Sequence, residues 1–294
     1  MTSDTATTPS PQSAGWRGKF AGFALGLSIF SILWFAIAAV GTKLGFWTWQ
    51  FGLGQMTIGW GPLLLMAAAG VSVLAVIIAL IKAPRKQALM LALGALLISG
   101  LAFGRVAAFG GQAGRLPPLH DIQTDWSDPI RPSETLAYAR ESSGALNAMQ
   151  DDPLIAEDAN ARWPGMGGRR VAEVQEEAEF NPAIHKSPKE TPYPLIAPLI
   201  TATTPEAAFV AAEEAVKAKG WTVVYSVPSE GRLEATDESF WFGFKDDVII
   251  RVRTDEAGAR VDVRSTSRVG LSDLGANSKR IRDLLDEIEV RLNK

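Results

Sequence analysis

The sequence predicts a chain in two parts. Three transmembrane helices come first, followed by an α+β domain: an antiparallel sheet with two helices on one face, in the order β-α-β-β-β-β-α. Three observations predict this. Lys and Arg number 8 against one acid in residues 1–115, but 21 against 31 in residues 116–294, so two halves in different solvents hide behind a net charge of −3. Charge-free apolar runs of membrane-spanning length occupy the first half only. After Pro198, apolar residues recur first at helical spacing, then in alternation, then at helical spacing again.

Residues 1–15 read as a polar, disordered tail rich in Thr, Ser and Pro. Residues 16–112 read as the membrane region, with spans at about 20–41, 60–81 and 87–109. Phe20–Val40 and Gly61–Ile81 carry no charge; the third run meets Arg105 near its end, where an arginine can snorkel. The length of the first run favours an uncleaved signal-anchor over a cleaved signal peptide. Arg17 and Lys19 precede the first span, and Lys82, Arg85 and Lys86 separate the second from the third. Only Lys43 lies in the first loop. The positive-inside rule then places the N-terminus in the cytoplasm and everything after residue 110 outside it, as for a bacterial inner-membrane protein with a periplasmic domain. Trp47, Trp49 and Trp60 fit an interfacial aromatic belt better than a cofactor pocket. Gly22-xxx-Gly26 and Gly100-xxx-Gly104 suit close helix packing, within the bundle or between copies.

Residues 116–198 read as a loop-rich segment of the soluble domain, punctuated by Pro117-Pro118, Asp128-Pro129, Arg131-Pro132 and Asp152-Pro153. Short helices are expected from Ser133 to about Ser143 and from Arg169 to Ala178. His120, Asp121 and Asp125 form one candidate cluster. Two histidines and no cysteine leave no multi-histidine or thiolate metal centre, so the preferred reading is a pinned loop. No cofactor is expected.

Residues 199–294 read as the α+β sandwich. Thr204-Pro205 is a helix start, with Phe209, Ala212 and Val216 on one face and Gly220 as the stop. Trp221–Val227, Arg232–Thr236, Asp246–Thr254 and Arg260–Ser267 read as hairpin-connected strands. Val248, Ile250, Val252, Val261 and Val263 face the helices, leaving Arg251, Arg253, Asp262 and Arg264 on an opposite, solvated face. Ile281, Leu284, Leu285 and Ile288 mark the last helix.

The runs Glu234–Val248 (with Phe240-Trp-Phe-Gly-Phe-Lys-Asp-Asp247 inside it) and Arg260–Arg280, together with Pro118–Asp125, Gly220-Trp221 and the three-span start, resemble the bacterial and plastid family known as domain of unknown function 1499. The resemblance covers most of the chain and implies a domain boundary near residue 116. It implies no activity. Some members open this domain with cysteines and lack the membrane bundle, and this chain departs from that version.

Trp241, Lys245, Asp247, Arg251, Arg264, Arg268, Asp273 and Asn277 are the candidate ligand-binding residues. Arginines bind carboxylate or phosphate bidentately, and a helix start nearby adds N–H donors. The preferred alternative is a structural charge network. Asp246 and Asp247 are neighbours on a strand and face opposite ways, so they make no carboxylate pair. Two functions compete. One is a membrane-anchored extracytoplasmic accessory or binding module of the cell envelope, with a membrane-protein partner, a second copy, an anionic small molecule or a lipid headgroup as its target. The other is a hydrolase-like enzyme using Lys245, Asp246 and Asp247 with Arg264 and Arg268, and it is the less favoured. The acidic domain argues against nucleic acid.

Overall fold

A computed structural model describes residues 15–293, and the expected polar tail lies almost wholly outside the described residues. The chain divides between Gly111 and Gln112 into two compact units.

The first unit holds three apolar helices long enough to cross a bilayer. They are α1 (Trp16–Lys43), α2 (Gly61–Ile81) with a π-helical lead-in over Gln50–Trp60, and α3 (Lys86–Ala113). The second span thus starts well ahead of residue 60. Gly52, Gly54 and Gly59 make that stretch look like a loop, yet its backbone is π-helical from Gln50 to Trp60. Trp34 Nε1 donates to the Met56 carbonyl at 2.9 Å, and the Phe35 ring fills the space left by the missing side chain of Gly61. Trp47 folds back rather than outward. Its indole lies over Gly41 and Gly52 and donates to the Ala38 carbonyl at 3.1 Å.

Packing in this unit is inverted relative to a water-soluble bundle. Ala21, Ala24, Ala75, Ala79, Ala88, Ala92 and Ala95 form its centre, and Ser28 and Ser72 share a hydrogen bond of 3.2 Å. Phe23, Leu33, Leu74, Ile77, Leu93 and Leu97 point outward. Small residues inside and large apolar ones outside suit a lipid surround. The two Gly-xxx-Gly pairs do not serve this packing: no atom lies within 4 Å of a side chain built at Gly22, Gly26, Gly100 or Gly104, because the helices meet through alanine and serine. Arg17 Nη2 donates to the Ala83 carbonyl at 3.1 Å, so the start of α1 and the α2–α3 loop share one end, together with their basic residues.

The second unit is built on a six-stranded antiparallel sheet: β1 (Asp121–Gln123), β2 (Leu199–Thr201), β3 (Thr222–Val227), β4 (Arg232–Glu238), β5 (Lys245–Asp255) and β6 (Gly258–Ser267). The order is β1-β6-β5-β4-β3, and β2 shares the outer edge of β6 with β1, against Val261–Ala259 and Thr266–Arg264 respectively. The four long strands are joined by tight connections, as the alternation predicts. Gly231, at the β3–β4 turn, adopts φ 62°, and any side chain there would run into the Val252 carbonyl.

Helices α6 (Pro205–Ala218) and α7 (Ala276–Leu292) cover one face. Thr204 caps α6 by accepting from the Ala207 N–H at 3.2 Å, and Gly220 ends it with φ 72°. Phe209, Ala212, Val216, Ile281, Leu284 and Ile288 pack on Leu233, Ala235, Val248, Ile250, Val261 and Val263.

The other face is not solvated as expected. Helix α4 (Glu134–Ser142) and its flanking segments lie across it, with Ile130 and Leu136 packed on Ile249. Ser133 caps α4 as predicted, accepting from the Leu136 N–H at 3.1 Å. Helix α5 (Val171–Ala178) packs beside β1, where Gln175 Nε2 donates to the Gln123 carbonyl at 2.8 Å. The loop-rich stretch therefore wraps the sheet of its own domain.

Candidate functional site

Strand parity sorts the charged residues before any contact forms. On β5 and β6, Asp247, Arg251, Asp262, Arg264 and the following Arg268 all point away from α6 and α7. Under the covering segment Asp247, Asp262, Arg264 and Arg268 are buried, so each one needs a partner.

Arg264 is fully buried. Its Nε and Nη2 grip both oxygens of Asp121 at 3.0 and 2.6 Å, while Nη1 and Nη2 reach the Ile130 and Gln150 carbonyls at 2.8 and 2.7 Å. The Trp126 ring lies 5.4 Å from its guanidinium carbon. Asp121 Oδ1 also accepts from Thr266 Oγ1 at 2.6 Å. Strand β1 is thus tied to β6 by a planar bidentate pair as well as by its ladder.

Asp247 is the second hub and is also fully buried. Arg268 grips it with Nε at 2.9 Å and Nη2 at 2.7 Å, Arg140 of α4 donates Nη1, and Thr236 Oγ1 donates at 2.7 Å. Arg268 Nη1 continues to Ser143 Oγ at 2.7 Å and Arg140 Nη2 to the Asn147 carbonyl at 2.6 Å, so both arginines hold the C-terminal end of α4. Glu234 holds the other end: its carboxylate accepts from the Ser133 N–H at 2.8 Å and from Arg232 Nε at 2.8 Å. Further along, Asp262 collects Arg253 and Arg260, both at 2.9 Å.

The structure separates the sequence-selected residues into groups. Asp247, Arg268, Arg264 and Asp121 lie in the buried network. Arg251 is half-buried beside Asp128 and Asp262, and Asp125 pairs with Arg260 at 2.6 Å. Asp246 faces the helices and meets Arg280, opposite to Asp247, as parity requires. Asp273 and Asn277 stand at the start of α7. Asp273 accepts from the Gly275 and Asn277 N–H groups at 2.7 and 2.8 Å, and Asn277 Nδ2 donates to the His120 carbonyl at 3.0 Å. The side chains of Trp241, on the β4–β5 connection, and Lys245, the first residue of β5, stand apart from both groups and are exposed. That connection is closed by Ser239 N–H on the Phe244 carbonyl at 2.8 Å, with Phe242 stacked on Phe244. Among the described residues no group of three or more His, Asp or Glu has the arrangement of a metal site.

Arg140 and Glu234, which join the covering segment to the sheet, were not singled out in the sequence. One signal was present: Arg140 follows Leu136 by four residues, so both share the inward face of α4.

Burial shifts several acids and bases of the second unit, Glu179, Asp273 and His120 among them. It pushes the Glu179 carboxyl up to about 7, against hydrogen bonds from Gln175 and the Ile196 N–H. It pushes Asp273 up to about 6, against its two backbone donors. It lowers the His120 imidazole, against the adjacent Asp121 charge. Glu179 binds its proton more tightly when folded. Its stabilisation is complete below the ordinary 4.5 and is lost as pH rises through about 7. Asp273 has the same sign between 3.8 and about 6, whereas the His120 contribution is present above 6.5 and lost as pH falls. Thermal melts of the full chain in detergent at pH 5 and pH 8, compared between the unmodified protein and Glu179→Gln, separate the first effect from the other two. Glu179→Gln is expected to lose less stability across that interval than the unmodified protein, by on the order of 2 kcal/mol. Equal pH slopes for the two proteins would refute the assignment.

A search among curated proteins gives no match. Residues 121–288, from the first residue of β1 into α7, match the family described as protein of unknown function (DUF1499). Because that match spans more than half of the chain and includes both hubs of the network, the chain belongs to this family.

Proposed function

We propose that this protein is a membrane-anchored accessory or binding module of the cell envelope. Its N-terminus lies in the cytoplasm and its α+β domain outside it. The observation that carries the reading is the inverted packing of the first unit, with alanine and serine inside and large apolar side chains outside. The end of that unit holding Arg17, Lys19, Lys82, Arg85 and Lys86 is the cytoplasmic one.

The buried ion pairs support a scaffold role for the sheet. Arg264 is bound to Asp121 and Arg268 to Asp247, and both arginines also bond the covering segment, so an anionic ligand would have to displace Asp121 or Asp247. Binding is better served by exposed groups such as Trp241 and Lys245, toward a membrane-protein partner, a second copy or a lipid headgroup. Alkaline extraction together with fusions after residue 294 tests this reading. The protein should stay in the membrane pellet, with a phosphatase fusion active and a fluorescent-protein fusion dark. A fluorescent fusion and a silent phosphatase would reverse the orientation, and release into the supernatant would remove the anchor.

A further inference from the structure

The two ends of the sheet differ. At one end the β5–β6 turn runs Asp255-Glu256-Ala257-Gly258 and the β3–β4 turn Pro228-Ser229-Glu230-Gly231, both polar. At the other end lies the β4–β5 connection, where Phe240 is 78% and Trp241 55% exposed, their rings edge-to-face. Two more apolar side chains join them. Leu146, 67% exposed, is held there by its N–H on the Arg268 carbonyl at 2.8 Å. Leu274, 38% exposed, follows Asp273, whose N–H meets the Leu119 carbonyl at 2.8 Å.

This apolar end is also where the chain enters the domain. Asp121 is opposite Thr266, the His120 carbonyl accepts from the Ser267 N–H at 2.8 Å, and the Lys245 carbonyl accepts from the Arg268 N–H at 2.9 Å. The entry at residues 116–120 and the aromatic tip after Glu238 are thus only two strands apart, across β6 and β5. Helix α3 ends at Ala113, and three residues reach at most about 10 Å. So short a connection limits how far the entry end of the domain can lie from the end of α3.

The geometry points to that bilayer surface as the occupant of the apolar end: Phe240 and Trp241 insert at headgroup depth beside Leu146 and Leu274, fixing the orientation of the domain. Aromatic rings favour that depth, and the exposed Arg115 and Lys245 suit phosphate groups around them. The inference rests on membrane anchoring but not on which leaflet faces the domain.

The chain has no cysteine, so single nitroxide labels are clean. The full-length protein, reconstituted in nanodiscs of mixed zwitterionic and anionic lipid, is labelled in turn as Phe240→Cys, Leu146→Cys, Ala257→Cys and Leu93→Cys. Accessibility to oxygen and to a water-soluble nickel complex is then measured. Labels at 240 and 146 are expected to be shielded from nickel and open to oxygen, with 257 fully aqueous. Adding Phe240→Ser and Trp241→Ser should raise nickel access at 146 several-fold. Labels at 240 and 146 as aqueous as 257, with 93 at hydrocarbon depth, would overturn the docking and leave the anchor standing. An aqueous label at 93 would overturn the anchor itself. Shielding at 240 accompanied by spin–spin broadening would assign the surface to a second copy, and shielding from both nickel and oxygen to a protein partner, either of which refutes the bilayer as occupant.

Discussion

Replacing Arg264 with methionine is expected to destabilise the soluble domain by about 3–5 kcal/mol, the cost of leaving a buried carboxylate without its counter-charge. Four hydrogen bonds end on this guanidinium, and two of them hold Asp121, which has no exposure to water. A domain of this kind is stable by only about 5–15 kcal/mol in total, so the loss is large. The double variant Arg264→Met with Asp121→Leu separates charge from packing. Removing both charges is expected to recover much of the stability, because the penalty lies in the unpaired ion rather than in the absent pair. Thermal melts of the full chain in detergent read both effects. If Arg264→Met melts at the unmodified temperature, the arginine is not a structural tie, and the anion-binding reading of this residue gains.

Asp247→Ala is expected to cost about as much, and for a sharper reason. It leaves Arg140 and Arg268 buried side by side with no counter-charge between them. Those two arginines are also what holds the C-terminal end of α4, through Ser143 and Asn147. The damage is therefore expected to be local first: α4 lifts from the sheet while β5 and β6, held by their ladder and by the α6–α7 face, persist. Hydrogen exchange should show α4 amides losing protection before those of β5, and proteolysis should open the stretch between Ser143 and Pro153. Asp247→Asn should fall between, since an amide oxygen still accepts from Thr236 or one arginine. Protection of α4 equal to that of the unmodified protein would sink the idea.

Much of the architecture was legible from local signals. Thr204-Pro205 and Gly220 bound α6 because capping and left-handed backbone are chemistry of single residues. Val248, Ile250, Val261 and Val263 identify the core face because strand side chains alternate. The same parity separates Asp246 from Asp247, and the structure gives them different arginines on different faces. Less local features were illegible. Strand β1 is three residues long, too short for an alternation to register, and residues 50–60 look like a loop because glycine has no helical preference in water.

The number, length and apolar character of the first three helices and the element order of the α+β domain are written in the sequence itself, because charge content, run length and periodicity are properties of neighbouring residues. Whether the charged face of the sheet meets water or protein is not. That was decided by a fold-back that brings Arg140 to Asp247 across 107 positions and Asp121 to Arg264 across 143. Pairing over such separations leaves no periodic trace, yet it converts a row of expected surface charges into a buried clamp, while Phe240 and Trp241 stay exposed on the β4–β5 connection.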